Sequence, residues 1–263
     1  MSPAPYDDPR AWADGPDLVY GRLAAAAADL LDLGGRPAGQ LVLDAGTGTG
    51  AFARALGERG AGVVAVDASP AMLSFGRAGR PPALAGDLCA LPLRDGCVDA
   101  AVCGFVLSHV PDPVLALAGL ARVVRPGGPL LVTAFRAGPG TVSHPAKVAL
   151  DRVLDEFGYR PPGWYTALKG AGEERVGAPA ALLAVAADAG LARARVDEVE
   201  VSLAGLDAEA LVRWRLGMAQ VAPWLAALGE ARRADVRAAG RTALAGIAAV
   251  PLPMLVLRAR ARA

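Results

Sequence analysis

The sequence is poor in lysine, histidine and cysteine, and it has no long unbroken apolar run. Only Lys147 and Lys169 are lysines among 27 basic residues, and acids interrupt the arginines, so no basic stripe for nucleic acid is present. Three cysteines without CxxC spacing indicate neither a disulfide framework nor a zinc site. Because no run of about 18 apolar residues occurs, no membrane-spanning segment is expected.

The remaining composition is that of a folded protein. Hydrophobic residues make up 54% of the 263 residues and the net charge is +1, which suits one α/β domain with appendages. The first stretch, MSPAPYDDPRAWADGPD, is polar and broken by prolines, unlike a signal peptide. We therefore expect a cytoplasmic protein whose partners are neither nucleic acids nor membranes.

Short apolar runs alternate with helical stretches between residues 41 and 136. Strands are predicted at LVLDAG, AGVVAVDAS, PPALAGD, DAAVCGFVLSHV and PLLVTAF, and Pro70 and Pro113 mark helix starts. This alternation predicts a parallel sheet with helices on both faces. Beyond residue 136 helices dominate, and ARVDEVEVSL and PMLVLRARA are two further strands. The tail of the second, with Arg258, Arg260 and Arg262, is predicted to be an edge strand.

A glycine-rich turn follows the first strand in LVLDAGTGTG. Gly46, Gly48 and Gly50 give G-x-G-x-G instead of the G-x-G-x-x-G of dinucleotide sites, and Asp44 precedes them. A pyrophosphate favours helix amides without a nearby carboxylate, whereas a ligand with an ammonium and a sulfonium can use one. No Lys-Ser/Thr pair follows the turn, so a triphosphate site is not predicted.

Two further acids end the next two strands. Asp67 lies 21 positions after Gly46, where a carboxylate can accept hydrogen bonds from both ribose hydroxyls. Asp87 ends the third strand, where it can accept from an adenine amino group, and Leu88 offers a backbone N–H to the ring. The alternative for Asp87 is a helix N-cap or a turn residue. Together these positions predict a site for an adenosine cofactor without phosphate.

These stretches resemble class I S-adenosylmethionine-dependent methyltransferases, most closely the small-molecule group with ubiquinone/menaquinone-type enzymes. The resemblance rests on VLDAGTGTG, VVAVDASPAML, GDLCALPLRDGCVDAAVCGFVLSHVPDP and LARVVRPGGPLLVTAF, over about residues 38–136. It implies a Rossmann-like α/β fold with a doubly wound seven-stranded sheet whose last strand is antiparallel. Residues 1–263 would form one domain, with an N-terminal helical segment (1–37), a cofactor core (38–136) and helical cap insertions (137–175 and 204–250).

The resemblance also implies S-adenosylmethionine as the cofactor and S-adenosylhomocysteine as its product. The methionine part would lie at Asp44 and the glycine turn, the ribose at Asp67, and the adenine edge at Asp87. The full set implied to bind the cofactor is Tyr20, Asp44, Ala45, Gly46, Thr47, Gly48, Gly50, Asp67, Ala68, Met72, Asp87, Leu88, Gly104 and Phe105.

The catalytic candidates are His109, His144 and Tyr165. Both histidines follow predicted strands of the sheet, at the end where doubly wound folds bind ligands. A general base is needed mainly when the acceptor must lose a proton. For His109 the alternative is packing beside the adenosine, and for Tyr165 it is packing or a lid.

The function implied is methyl transfer by in-line displacement to a small-molecule acceptor, a bacterial secondary metabolite, by a monomer or homodimer. Cap aromatics favour an apolar or aromatic acceptor; they are Trp164, Tyr165, Trp214 and Trp224. No [DN]PP[YF] stretch follows strand four, which argues against amino methylation of nucleic acid, and the lone Asp112 does not indicate a metal. The alternatives are a protein that uses bound S-adenosylmethionine without transfer, as a cyclase or regulatory binding protein, and a nicotinamide oxidoreductase.

Overall fold

The computed structural model of the chain describes residues 6–34, 38–138, 140–248 and 250–262. The segments predicted at 1–37, 137–175 and 204–250 include residues 1–5, 35–37, 139 and 249, which lie outside the described residues. The strands are β1 (Leu41–Ala45), β2 (Gly62–Asp67), β3 (Ala83–Ala85), β4 (Ala100–Gly104), β5 (Pro129–Ala134), β6 (Ala192–Val201) and β7 (Leu252–Arg260).

Helices connect these strands and continue into the second half of the chain. They are α1 (Pro9–Asp14), α2 (Pro16–Ala28), α3 (Ala51–Glu58), α4 (Pro70–Ser74), α5 (Pro113–Val123), α6 (Pro145–Glu156), α7 (Gly163–Val176), α8 (Pro179–Asp188), α9 (Ala208–Leu216), α10 (Ala222–Ala227) and α11 (Glu230–Ala243). Both helix starts predicted at prolines are confirmed, because side chains cap them. Ser69 Oγ accepts from the Met72 N–H at 3.2 Å, and Asp112 Oδ1 accepts from the Leu115 N–H at 2.9 Å.

The seven strands form one sheet in the order β3-β2-β1-β4-β5-β7-β6. The first five strands are parallel, and β7 pairs antiparallel with both β5 and β6. The predicted seven-stranded sheet with an antiparallel last strand is therefore confirmed. Chain order reverses between β1 and β4, and the crevice beyond the carboxyl ends of such strands is where doubly wound sheets bind ligands.

The prediction that the arginine-rich tail forms an edge strand is wrong. Strand β7 lies inside the sheet, where Arg258 pairs with Leu131 of β5 on one side and Arg195 of β6 on the other. The reason is the apolar middle of the strand, Met254–Leu257, which is fully buried on both faces of the sheet. The alternating arginines occupy only its last residues, and the Arg258 guanidinium is paired with Asp197 at 2.5 Å.

Apolar residues fill both faces of the sheet, as the alternation of strands and helices predicted. One core packs α5 and α8 against the sheet through residues such as Leu117 and Leu182, and the other packs α2 and α3 through Leu23 and Leu56. A third, smaller core joins α6, α9, α10 and α11 beyond the strand ends. Within the described ranges, no helix is both long and apolar enough to cross a bilayer.

Candidate functional site

The glycine turn between β1 and α3 adopts a backbone conformation that residues with side chains disfavour. Gly46, Gly48 and Gly50 have φ values of 74°, 52° and 92°, in the left-handed region. The Gly46 N–H donates to the Val66 carbonyl at 2.8 Å, which holds the turn against the end of β2. A Cβ at Gly46 would lie 2.4 Å from Val106 Cγ2. The turn therefore presents bare backbone at the end of β1, where a ligand can approach closely.

Asp44 lies beneath this turn and is 1% exposed. Its Oδ2 accepts from the Thr47 hydroxyl at 2.7 Å and from the Ala53 N–H at 3.0 Å. Burial raises the pKa of the carboxyl to about 6, and the two hydrogen bonds oppose the rise. A buried carboxylate of this kind is stabilised by a cationic ligand, so Asp44 suits an ammonium group better than a phosphate.

Asp67 joins the glycine turn to the end of β2. Its Oδ2 accepts from the Gly48 N–H at 2.7 Å, and its Oδ1 accepts from the Ser69 N–H at 2.8 Å. Burial raises the pKa of this carboxyl also. The Gly86 N–H donates to the Asp67 carbonyl at 3.0 Å, which brings the end of β3 beside it. The structure thus brings together Asp44, the turn and Asp67; contact with a ribose stays a prediction.

Arg80 is a residue of this site that the sequence analysis missed. Its guanidinium donates to the Gly48 carbonyl at 2.8 Å and to the Met72 carbonyl at 2.6 Å. Its positive charge lowers the pKa of Asp44 and Asp67, against the larger effect of burial. Arginine is so common in this chain that one more arginine after α4 gave no signal.

The residues predicted to meet the adenine lie along the ends of β2 and β3. Met72 is 2% exposed and Leu88 is 4% exposed, whereas Ala68 is exposed. Asp87 is exposed, and its Oδ1 accepts from the Cys89 N–H at 2.9 Å, so it caps the short helical turn Leu88–Ala90. This cap is the alternative role considered for Asp87, and an adenine contact stays a prediction.

An aromatic group covers the carboxyl ends of β4 and β5. The Phe105 and Phe135 rings stack with centroids 4.5 Å apart, and Tyr20 meets them edge-on at 5.2 and 5.9 Å. Trp12 lies 5.1 Å from Tyr20, and Tyr6 lies 5.6 Å from Trp12. Tyr20 and Phe105 were predicted site residues, while Phe135, Trp12 and Tyr6 were missed. Only Phe135 had a usable signal, because it ends a predicted strand.

Gly104 allows the end of β4 to pack closely. A Cβ at this position would lie 2.2 Å from Phe52 Cε2 of α3, so a larger residue would push helix and strand apart. The next residue, Phe105, has φ 58°, which is rare for a residue with a side chain. The close packing at Gly104 and the unusual backbone of Phe105 together turn the Phe105 ring towards Tyr20 and Phe135.

His109 lies beside the aromatic group, in the helical turn Leu107–His109 after β4. Its Nδ1 is 3.2 Å from the Tyr6 hydroxyl, and the Tyr6 carbonyl accepts from Ser69 Oγ at 3.0 Å. Burial lowers the pKa of His109 to about 4. The ring is therefore neutral at pH 7 and a weak base, which favours the packing role over the catalytic one.

Tyr165 lies on α7, which covers the turn that carries His109. The contact is close: a Cβ at Gly172 would lie 2.1 Å from the Ser108 carbonyl oxygen. Tyr165 is half-buried, and its ring is 5.7 Å from that of Trp164. Burial raises the pKa of Tyr165. The structure thus brings Tyr165 to the same end of the sheet as His109, while a catalytic role stays a prediction.

His144 lies at the start of α6, and its side chain is buried. Its Nε2 is 3.1 Å from the Val250 carbonyl, and its ring meets Trp214 of α9 edge-on at 6.2 Å. A hydrogen bond from Nε2 to that carbonyl leaves the lone pair on Nδ1, which is buried without a partner among the described residues. These contacts join His144 to α9 and to the start of β7, and its role as a base stays a prediction.

The arrangement suits a cationic ligand without phosphate. Asp44 and Asp67 lie under one glycine turn, and aromatic faces, which attract cations, cover the neighbouring strand ends. In the part of the chain that the structure describes, no three metal-ligating side chains converge.

Comparison with known proteins supports a relationship over the first half of the chain. Residues 43–132 match the family model of a methyltransferase domain. The demethylmenaquinone methyltransferase of Renibacterium salmoninarum is 41% identical over 130 residues, which cover 49% of this chain and 52% of that protein. The chain therefore spans about half the length of this curated relative.

Solved structures extend the similarity of fold to most of the chain. Phosphoethanolamine N-methyltransferase 2 of Haemonchus contortus, in complex with phosphomonomethylethanolamine and S-adenosylhomocysteine, has a TM-score of 0.57 at 17% identity, covering 92% of this chain and 52% of that one. The [4+2]-cyclase SpnF has a TM-score of 0.56 at 20% identity, covering 92% and 80%. At these identities the likeness concerns the fold.

Proposed function

We propose that the chain is a class I S-adenosylmethionine-dependent methyltransferase that transfers the methyl group of S-adenosylmethionine to a small-molecule acceptor, because residues 43–132 match a methyltransferase domain. The observation that carries this proposal is the linked arrangement of Asp44, the glycine turn and Asp67 within the matched region. One buried and one partly buried carboxylate, without a phosphate-binding lysine, fit an adenosine cofactor whose other end bears an ammonium and a sulfonium.

The cofactor would lie across the carboxyl ends of β1, β2 and β4. Asp44 and the amides of the glycine turn would hold its amino acid part, and Asp67 its ribose. Met72, Leu88 and the backbone near Asp87 would border the adenine. When bound, S-adenosylmethionine supplies a methyl group on a positively charged sulfur. The chain's own contribution is to bind, orient and exclude water.

The aromatic group would form the wall against which the acceptor is held. Phe105, Phe135 and Tyr20 stand at the ends of β4 and β5, next to the glycine turn through the contact of Gly46 with Val106. Holding a nucleophile and a methyl group in line at close range can lower a barrier by roughly 7–11 kcal/mol. In-line displacement therefore needs little chemistry from side chains beyond this positioning.

The acceptor proposed is an apolar or aromatic secondary metabolite. Aromatic rings line the strand ends, and the relative from Renibacterium is named a demethylmenaquinone methyltransferase. The helical cap follows residue 136, whereas the family match ends at 132. The cap is thus the part of the chain that would determine which acceptor binds.

His144 and Tyr165 are the proposed candidates for a base, if the acceptor must lose a proton. His144 Nδ1 has no hydrogen-bond partner among the described residues, whereas the low pKa of His109 makes its ring a poor base. The test is the rate of methyl transfer against pH for His144→Gln and Tyr165→Phe. A base role predicts that one of them lowers kcat while S-adenosylhomocysteine still binds. Unchanged rates in both would assign the two residues to packing.

The decisive experiment has two parts. Calorimetric titration with S-adenosylhomocysteine and with NADH tests the cofactor, and tight binding of NADH alone would overturn the proposal. Incubation with S-adenosylmethionine labelled in the methyl group, a series of aromatic hydroxy and amino compounds and a metabolite extract tests transfer. The expected result is a labelled product together with S-adenosylhomocysteine.

A second candidate is the use of bound S-adenosylmethionine without transfer. It is favoured by the likeness of fold to the cyclase SpnF over 80% of that chain, and by the poor basicity of His109. In the same incubation, a changed product beside intact S-adenosylmethionine would establish this function and reject methyl transfer.

We also propose a cytoplasmic location and a monomeric or homodimeric state. Cys89, Cys97 and Cys103 are all free thiols, as a reducing compartment would keep them. Cell fractionation and light scattering of the purified chain test the two statements.

A further inference from the structure

An arginine in the cap is buried with most of its hydrogen-bonding capacity unused. The Arg215 side chain on α9 is 8% exposed, and its Nε donates to Asp151 Oδ1 at 2.5 Å. Among the described residues, its two terminal nitrogens have no hydrogen-bond partner. Neither nitrogen is among the fully enclosed unpartnered atoms of the described chain, so each keeps some contact with solvent. Buried guanidinium groups normally use most of their donors, and here Asp151 engages Nε alone, so the two terminal nitrogens are available to a ligand.

Arg215 and the two charged residues nearest to it along its ion-pair network, Asp151 and Lys147, carry one net positive charge together. Asp151 Oδ2 also accepts from Lys147 Nζ at 2.6 Å, so two cations share one carboxylate. The next ion pair, between Lys169 and Glu173 at 3.1 Å, is neutral in itself. We call Arg215, Lys147 and Asp151 the Arg215 cluster. The cluster has a net charge of +1, which a bound anion would neutralise.

Helix α9, which carries Arg215, lies next to two helices that carry residues of the aromatic group. The end of α9 packs against the junction of α1 and α2, where a Cβ at Gly15 would lie 2.1 Å from the Arg213 carbonyl oxygen. Helices α1 and α2 carry Trp12 and Tyr20 of the aromatic group. The charge of Arg215 also opposes the rise that burial causes in the pKa of Tyr20. The guanidinium therefore stands within electrostatic range of the proposed acceptor wall.

We propose that Arg215 recognises a carboxylate on the acceptor, so that the substrate class is an aromatic or apolar carboxylic acid. The identification of the bound carboxylate as part of a methyl acceptor rests on the proposed function. The anion site itself does not depend on that function. A planar guanidinium can donate two parallel hydrogen bonds to a carboxylate, and these charge-assisted bonds are stronger than neutral ones. The aromatic group would hold the ring while Arg215 fixes the carboxylate.

The competing explanation is that Arg215 only ties α9 to α6 through Asp151. The two explanations differ in what Asp151→Asn does. Removing that carboxylate breaks a structural tie, but it also removes a negative charge that repels an incoming carboxylate. A recognition role therefore predicts opposite effects of Asp151→Asn and Arg215→Gln on carboxylate binding. A structural role predicts the same effect, a loss, in both.

The experiment measures binding of formate, acetate and benzoate by calorimetry, each against formamide, acetamide or benzamide, its neutral amide. The expected result for the unmodified chain is that at least one acid binds about tenfold more tightly than its amide. Arg215→Gln should abolish that preference, Arg215→Lys should keep part of it, and Asp151→Asn should increase it. The matched control is Arg213→Gln, because Arg213 is exposed on the same helix; it should change nothing.

The proposal is overturned if no acid is preferred over its amide, or if Arg215→Gln keeps the preference. It is also overturned if Asp151→Asn and Arg215→Gln lower it alike. Thermal melting of each variant tests whether the chain is folded. If Arg215→Gln does not fold, the carboxylate preference of Arg215→Lys is used in its place. All titrations are run with and without S-adenosylhomocysteine. Failure to bind S-adenosylhomocysteine rejects the proposed function, whereas a carboxylate preference without it leaves the anion site standing.

Discussion

Replacement of Asp67 tests the proposed cofactor site most directly, because this carboxylate has one observed role and one proposed role. Its oxygens hold the Gly48 and Ser69 amides at 2.7 and 2.8 Å, and the family resemblance assigns it the ribose hydroxyls. Asp67→Ala removes the observed hydrogen bonds and the proposed ribose contact together. Asp67→Asn keeps one acceptor oxygen and the shape of the side chain, but it removes the charge.

The structure sets the expected size of the effect. Hydrogen bonds to a charged group contribute about 1.5–3 kcal/mol each, and both bonds of Asp67 are only partly buried. Asp67→Ala should therefore lower the free energy of unfolding by roughly 2–4 kcal/mol. Loss of even one ribose hydrogen bond should weaken S-adenosylhomocysteine binding at least about tenfold, which corresponds to about 1.4 kcal/mol. Asp67→Asn should lie between Asp67→Ala and the unmodified chain in both measurements.

The assay is calorimetric titration with S-adenosylhomocysteine, combined with urea denaturation of each variant. Asp95→Asn is the matched control, since Asp95 forms an ion pair with Arg122 but is 77% exposed. Such a surface pair contributes about 0–1 kcal/mol to stability, and its loss should leave cofactor affinity unchanged. Unaltered affinity in Asp67→Ala would refute the assignment of this carboxylate to the cofactor.

Three further predictions concern the glycine turn and its surroundings. Gly46→Ala should abolish S-adenosylhomocysteine binding because of its left-handed φ and the contact with Val106, whereas Gly57→Ala, with open space around it, should bind normally in the same titration. Because the pKa of Asp44 is raised to about 6, affinity for the ammonium-bearing ligand should rise as pH increases through 6, and Asp44→Asn should remove this dependence. The same raised pKa means that Asp44 favours folding most at low pH and less as pH rises through 6. His109 should titrate near pH 4 in NMR spectra, and since its pKa is lowered, its contribution to stability should be lost as pH falls towards 4; a titration near 6.5 would contradict its burial.

The sequence was sufficient for the sheet and the glycine turn because both are encoded locally. Alternating strands and helices fix the parallel order, and a G-x-G-x-G turn with Asp44 before it and Asp67 at the next strand end lies within one βαβ unit. The position of β7 inside the sheet is not encoded locally in the sequence. It depends on the pairing of β7 with β6, and alternating arginines at its end suggested an edge.

The aromatic group and the Arg215 cluster could not be predicted, because both depend on contacts between distant parts of the chain. Tyr6 meets His109 across 103 positions, and its own segment is polar and broken by prolines, with no pattern that indicates such a contact. Arg215 differs from the many other arginines by its burial alone, and burial follows from the packing of α9 against α6. Neither has a motif of its own.

The left-handed backbone of Phe105 has an evolutionary consequence. Holding a residue with a side chain in this region costs of order 1–3 kcal/mol, and glycine would remove most of that cost. Each aromatic pair that the Phe105 ring makes returns about 0.5–1.5 kcal/mol, so the two effects nearly cancel. Replacing Phe105 by glycine would therefore change stability little, and selection for stability alone would not maintain the phenylalanine. A phenylalanine retained here among diverging descendants would record selection for what the pocket binds.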